Sequence, residues 1–430
     1  MKKKSLLFIL MFANVLMFAQ SPVYRVFVLN EGYFNWSTMT QVVSPSVGAY
    51  NPVTKQYNTI ATFNNASFAS DVITDGNNLY VAASDGIYLF DKITNTQLDF
   101  EPVIGIRKLS VWNNQLLCTR GDVGLPDNYF QVYDKTNLNL IYQLDKTTGP
   151  AYTTEGIVVA NDTAYIAMNN AFYFPNYVGK IGKVYLPSQT YTNEIDLGAD
   201  GLNPDYLTYD NNTHKVITLN NLDFTNASVS TYDNNTGAAT TTKLNVGSGC
   251  ASSVYANAGG DIFYQVSGES DLKKFNIATN ANNGSLQINN YVYGMGYDAT
   301  NDLIYAGNTD YVSFGKVYVY PSNSNIPTDS FNVSVSPGTI FVDYSSSTSM
   351  SENNTNSFNI FPNPANEIIT VSNLNNASLI TISDVAGKNI IQQKVNNNTE
   401  QINISALLPG YYIVSLETSN GITKQPLLKK

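Results

Sequence analysis

A repeat restricts the fold of this chain more than any other feature. Seven times between residues 24 and 344 a short strand ends in an aromatic residue or leucine and runs into a turn rich in Asp, Asn, Pro and Thr: GAYNPVTKQY, IYLFDKITNTQL, FQVYDKTNLNL, GKVYLPSQTYT, SVSTYDNNTG, LKKFNIATNA and KVYVYPSNSN. The equivalent positions are Tyr50, Phe90, Tyr133, Leu186, Tyr232, Phe275 and Tyr320, spaced by 40, 43, 53, 46, 43 and 45 residues. Ahead of them come an apolar strand, a polar turn and another apolar strand, as in SDVITDGNNLYVAAS and KLSVWNNQLLCTR. Four strands in about 46 residues, with Asn, Asp and Gly at the turns, describe a propeller blade rather than a helical repeat.

The ends of the repeat complete each other. YRVFVLNEG, SVGAYNP and QYNTIATF at the start are three strands without a first one, and GTIFVDY at 338–344 is a first strand without followers. Joining them closes a ring and removes the free sheet edges that invite aggregation. The predicted fold class is therefore all-β: a seven-bladed β-propeller over 24–344, followed by a small antiparallel β-sandwich. Residues 345–357, SSSTSMSENNTNS, read as a linker, and 358–430 hold about seven short alternating strands. At the other end, residues 1–19 combine three lysines, an apolar run from Leu6 to Phe18 and a small residue before Gln20, the pattern of a removed signal peptide. The run is too short to span a bilayer, and no later segment is apolar enough, so no transmembrane segment is expected in the mature protein.

Composition excludes several functions. One histidine, His214, cannot supply a histidine-based zinc site or a Ser/His/Asp triad, and a net charge of -10 opposes nucleic acid. No glycine-rich phosphate loop is present, so no nucleotide cofactor is expected, nor any other cofactor or metal, and the chain reads as a binder rather than an enzyme. Cys118 and Cys250 fall in distant repeat units and are expected as separate buried thiols.

In a propeller the loops entering each first strand, and those between second and third strands, open on one face. The entering loops contribute Phe68, Arg107, Tyr152, Glu155, Asp205 and Tyr293, a polar ring around the channel mouth. Loops between second and third strands contribute Tyr33, Phe34, Trp36, Tyr129, Phe174 and Tyr311, and Asn30 and Glu31 precede the first of them. Aromatics of this size line a site for a flat or amphipathic ligand, or else fold back over the blade ends; the polar ring orients a ligand, or else bonds to itself and water. Glu155 with Asp205 would be a glycosidase pair only at the right separation, which spacing does not give.

The VLNEG segment, Val28 to Gly32, resembles the opening motif of YncE-like extracellular propellers of Bacteroidota. That resemblance implies the same fold and, since some members bind corrinoids at the cell surface, a small-molecule ligand; an adhesin or protein-interaction scaffold, and a polysaccharide hydrolase or lyase, are the alternatives. Here the sorting segment and the lack of a lipid-bearing cysteine depart from those members. The C-terminal segment resembles the type A sorting domain of the type IX secretion system. FPNPA with Pro362, Asn363 and Pro364, SDVAGK with Gly387, LPGYYIV with Gly410, and the terminal Lys429 and Lys430 carry the likeness. It implies the secretion machinery as partner, export across the outer membrane, removal of the domain, and release or attachment to a surface glycolipid. Glycans and proteins remain candidate ligands.

Overall fold

The structure, a computed structural model, describes residues 23–124, 128–223, 225–344, 358–374, 377–384, 388–418 and 421–430, without the side chains of 249–252 and 421–423. The signal segment 1–19, the linker 345–357, Gly387 and the Cys250 side chain lie outside the described residues. Two compact units divide at Ser345/Ser346.

Among the described residues the first unit contains seven four-stranded antiparallel sheets. Six follow chain order and are numbered here as blades 1 to 6, with innermost strands Ala69–Asp75, Ile106–Trp112, Thr154–Ala160, Pro204–Asp210, Ser248–Ala256 and Val292–Asp298. The seventh, the closing blade, pairs the innermost strand Pro337–Tyr344 with Val23–Asn30, then Ser46–Asn51 and Gln56–Thr62. Each innermost strand touches the next, from blade 1 to blade 6, through the closing strand and back to blade 1. The ring is a β-propeller closed by strands from both ends of its chain.

The repeat has a physical cause. Tyr50, Phe90, Tyr133, Leu186, Tyr232, Phe275 and Tyr320 are all buried where neighbouring blades pack. The residue that follows most of them closes the next turn with its own side chain: Asp91 accepts from the Ile93 and Thr94 amides at 2.9 and 2.7 Å, and Asn51 does the same for Val53 and Thr54. An Asx turn of this kind satisfies backbone donors locally, which is why Asp and Asn recur there. A buried ion pair joins blade 1 to the closing strand, with Lys92 Nζ 2.8 Å from Asp343 Oδ2 and Thr74 donating to Asp343.

The innermost strands share one irregularity. In blades 1 to 6 the register shifts near the strand start, between Ala69 and Asp71, Ile106 and Leu109, Thr154 and Ile157, Pro204 and Tyr206, Ser248 and Ser253, and Val292 and Met295. A bulge here breaks the alternation of side chains, so that successive residues face the channel.

The second unit packs a three-stranded sheet (Asn359–Phe361, Ile368–Ser372, Thr399–Asn403) on a four-stranded one (Asn389–Lys394, Ala377–Asp384, Gly410–Thr418, Gly421–Lys429). Phe358, Ile369, Val371, Ile380, Ile382, Ile402, Val414, Leu416 and Leu427 form its core. Asn363, between Pro362 and Pro364, donates to the Pro426 carbonyl and accepts from the Leu428 amide at 2.9 Å, holding the FPNPA segment to the last strand. The backbone continues this contact from Ala365 to Leu428 and from Lys430 to Ala365, beside Lys429.

Candidate functional site

The ring encloses a cavity of about 540 Å³ at its axis. Its mouth is polar, built by Glu31, Ser70, Asp71, Arg107, Lys108, Glu155, Asp205 and Tyr293, and its walls below carry apolar side chains such as Ile157, Leu207, Val254, Met295 and Ile340, beside hydroxyl groups such as Ser253 and Thr339. The division follows from the strands: each begins with residues turned out by the bulge and continues with the β-branched and long aliphatic residues that pack a propeller centre.

Arg107 is clamped. Its Nε donates to Glu155 Oε2 at 2.7 Å, and its guanidinium lies 5.9 Å from the Phe68 ring centre and 5.4 Å from that of Phe172. Stacking against two rings suits the planar guanidinium and holds the ion pair in place. Lys108 donates to the Ser70 carbonyl at 2.6 Å and stands 3.8 Å from Asp71, whose other oxygen accepts from the Leu109 amide.

Glu31 reaches the mouth from an unexpected direction. It follows the second strand of the closing blade, and its carboxylate accepts from the Tyr293 hydroxyl at 2.9 and 3.0 Å. The closing strand has no side chain at this level: a Cβ built on Gly338 would lie 2.2 Å from Glu31 Oε1. Glu31 therefore fills the place that Gly338 leaves open. Gly32 makes the turn, with φ +79 and a Cβ position only 2.3 Å from the Val43 carbonyl oxygen. Asn30 is fully buried and faces away, its amide donating to the Tyr57 hydroxyl at 3.0 Å and to Ser46. In VLNEG, then, Asn30 fastens the blade, Glu31 enters the mouth and Gly32 permits the turn.

Four carboxylates face two cations. Burial pushes Glu31 up to about 7, against the lowering pull of the Tyr293 hydrogen bond and of Lys108 and Arg107. Asp71 and Asp205 are also raised, both first by burial, and Asp205 next by the charge of Glu155.

Of the residues singled out in sequence, Glu31, Phe68, Arg107, Glu155, Asp205 and Tyr293 meet at the cavity. Tyr311, partly exposed, packs on Tyr293 with ring centres 5.2 Å apart. Trp36 is exposed on the hairpin Tyr33–Asn35/Thr40–Val43, with Phe34 4.6 Å away, and Phe174 is exposed beyond blade 3; Tyr33 is half-buried. Tyr152 lies outside the cavity lining, under Lys180. Two expectations are corrected. Tyr129 is not a loop aromatic: the third strand of blade 2 begins at Asn128, so its side chain is buried in the sheet. Asn30 does not join the cavity lining, its buried amide being turned to Ser46 and Tyr57. Asp71, Lys108 and Ser253 were missed; regular alternation points them away from the channel, and only the bulges bring them to it.

A second cleft of about 610 Å³ lies on the ring's flank between blade 6 and the closing blade, lined by groups such as Tyr57, Thr59, Phe314 and Asn332. No titratable acid or base other than Tyr57 borders it. His214 sits exposed in a turn, its ring 3.3 Å from the Tyr209 hydroxyl. Arg120, the first residue of an RGD string, is buried and donates to the Ile104 and Asn128 carbonyls.

Residues 359–430 match the secretion system C-terminal sorting domain. Such a domain directs a protein through the type IX secretion system, so the chain is a secreted or outer-surface protein. No curated protein matches the chain. Among solved structures the ring is similar to a hypothetical selenium-binding protein from Sulfolobus tokodaii, at 9% identity and TM-score 0.59 over 75% of this chain and 94% of that one. A β-propeller domain from Myceliophteria thermophila matches at 10% identity and TM-score 0.53 over 70% of this chain and 98% of its own. The extracellular domain of a putative one-component system from B. thetaiotaomicron matches at 14% identity and TM-score 0.50; the match covers 94% of this chain and 57% of that one. At such identities these likenesses carry the fold alone. Among the described residues no helix is long and apolar enough to cross a membrane.

Proposed function

We propose that the ring is a ligand-binding protein of the cell exterior that takes a small amphipathic molecule end-on at its channel mouth. One observation carries this reading: residues from six of the seven blades converge as a charged, hydrogen-bonding rim above a largely apolar well. A preformed concave site with a few convergent polar groups over apolar walls is the usual form of a small-molecule pocket. The clamped Arg107–Glu155 pair fixes the shape and charge of the rim that meets the polar end of a ligand, and the aliphatic wall receives the rest.

A corrinoid, the ligand implied by the likeness of VLNEG to surface propellers, is one molecule to test, since a flat ring would rest on the exposed Trp36, Phe174 and Tyr311 above the rim. Titration of cyanocobalamin followed by difference absorbance at micromolar protein decides that version, and an unchanged spectrum removes it. The wider reading is tested by thermal-shift screening against small amphipathic molecules, repeated on Arg107→Ala and Glu155→Ala. Hits abolished by both substitutions support the mouth as the site. Should only glycans or secreted proteins be captured, with both variants binding normally, the exposed aromatic loops rather than the channel would be the binding surface.

A further inference from the structure

We infer that the ligand of the channel mouth is an amine-bearing amphiphile, its ammonium group held on the side of the mouth between Glu31 and Asp205 and its apolar part lowered into the well. The inference rests on the channel mouth being a ligand site. Its ground is the way the charges of the mouth are shared out. Arg107 is taken up by Glu155, and Lys108 by Asp71 and the Ser70 carbonyl. Glu31 and Asp205 remain, and among the described residues each is held only by a neutral donor, the Tyr293 hydroxyl and the Asn221 amide.

These two acids border the same sector. Asp205 belongs to blade 4, and Glu31 is fixed to Tyr293 of blade 6. Blade 5, between them, contributes Ser253, whose residue is 2% exposed, whose Oγ has no hydrogen-bond partner among the described residues, and which lines the cavity. A buried hydroxyl left without a partner is destabilising unless something bonds to it. An ammonium group brings three N–H donors and no acceptor, the complement of two carboxylates and a hydroxyl oxygen. Burial raises the proton affinity of both acids against the pull of Arg107 and Lys108, and an ammonium between them would oppose that rise.

A metal ion fits less well. Among the described residues no three His, Cys, Asp or Glu side chains are grouped so as to hold one. An anionic head would meet four carboxylates against two cations that are already paired. Below the rim, Ile157, Leu207, Val254, Met295 and Ile340 offer only apolar surface, which suits a hydrocarbon segment.

The experiment is calorimetric titration of the full chain at pH 8 with n-octylammonium chloride, n-octanoate and 1-octanol, three probes that share a tail. Octylammonium is expected to bind and octanoate not to. Glu31→Gln and Asp205→Asn, which keep shape and lose charge, should each weaken octylammonium at least 10-fold, and Ser253→Ala several-fold. Should octanol or octanoate bind as well as octylammonium, unaffected by Glu31→Gln and Asp205→Asn but lost on plugging the well with Leu207→Trp or Met295→Trp, the amine is wrong while the mouth site stands. If no probe binds, or octylammonium binding survives both the charge substitutions and the plugs, the mouth site falls with it.

Discussion

Glu31→Gln isolates the cost of placing a carboxylate at the mouth. Gln retains a carbonyl oxygen for the Tyr293 hydroxyl and loses the charge. In the folded protein burial raises Glu31 from 4.5 to about 7. Between those values the folded state keeps a proton that the unfolded chain releases, so this group's stabilising effect is complete below pH 4.5 and fades as pH rises through 7. A difference of this size amounts to about 3 kcal/mol. Spread over an unfolding entropy of roughly 2 cal/mol/K per residue in a ring of some 320 residues, that is about 5 °C in Tm, of which about 4 °C falls between pH 5 and pH 8. Melting curves of both proteins at pH 5 and pH 8 read it directly. The variant should gain about 4 °C on the wild type between the two pH values, starting from near equality at pH 5. A gap that stays constant within about 1 °C would refute the reasoning, and so would a variant that falls below the wild type at pH 8.

Three further predictions concern other parts of the ring. Asp343→Asn strands the buried Lys92 ammonium and should lower stability by about 3–5 kcal/mol, whereas Lys92→Met with Asp343→Leu recovers most of it; chemical denaturation of the three proteins tests this. Gly338→Ala drives a Cβ into Glu31, so the carboxylate leaves Tyr293 and the contribution of Glu31 to the pH dependence of Tm shrinks, which the same melting series detects. Burial pushes the Cys118 thiol up to about 12, so iodoacetamide at pH 8 should leave the Cys118 peptide unmodified in folded protein and label it in 6 M guanidinium, as read by mass spectrometry.

The ring was legible in the sequence because its cause is local and repeated. A buried aromatic followed by an Asx turn recurs with each blade, and the unpaired strands at the two ends of the repeat match in number. Most of the mouth was legible too, since Arg107, Glu155, Asp205 and Tyr293 sit where a chain turns into an innermost strand. What escaped depended on register. Lys108 and Asp71 follow residues already placed in the channel, and strict alternation sends them outward; a bulge has no fixed residue signature, so nothing in the pattern announced it. The position of Glu31 depends on Gly338, more than 300 residues later, and such a pairing is visible only once the ends have met. Tyr129 was misplaced because apolar residues at the edge of a loop and at the start of a strand look alike in sequence.

Closure by strands from opposite ends also orders events in time. Val23–Asn30 is among the earliest parts of the ring to be made, yet it pairs with Pro337–Tyr344, the last. Until that late segment emerges, one flank of the strand offers unmatched amides and carbonyls to any passing chain. A polypeptide halted before residue 337 is thus a fragment carrying a sticky border, and pairing with Pro337–Tyr344 removes that hazard.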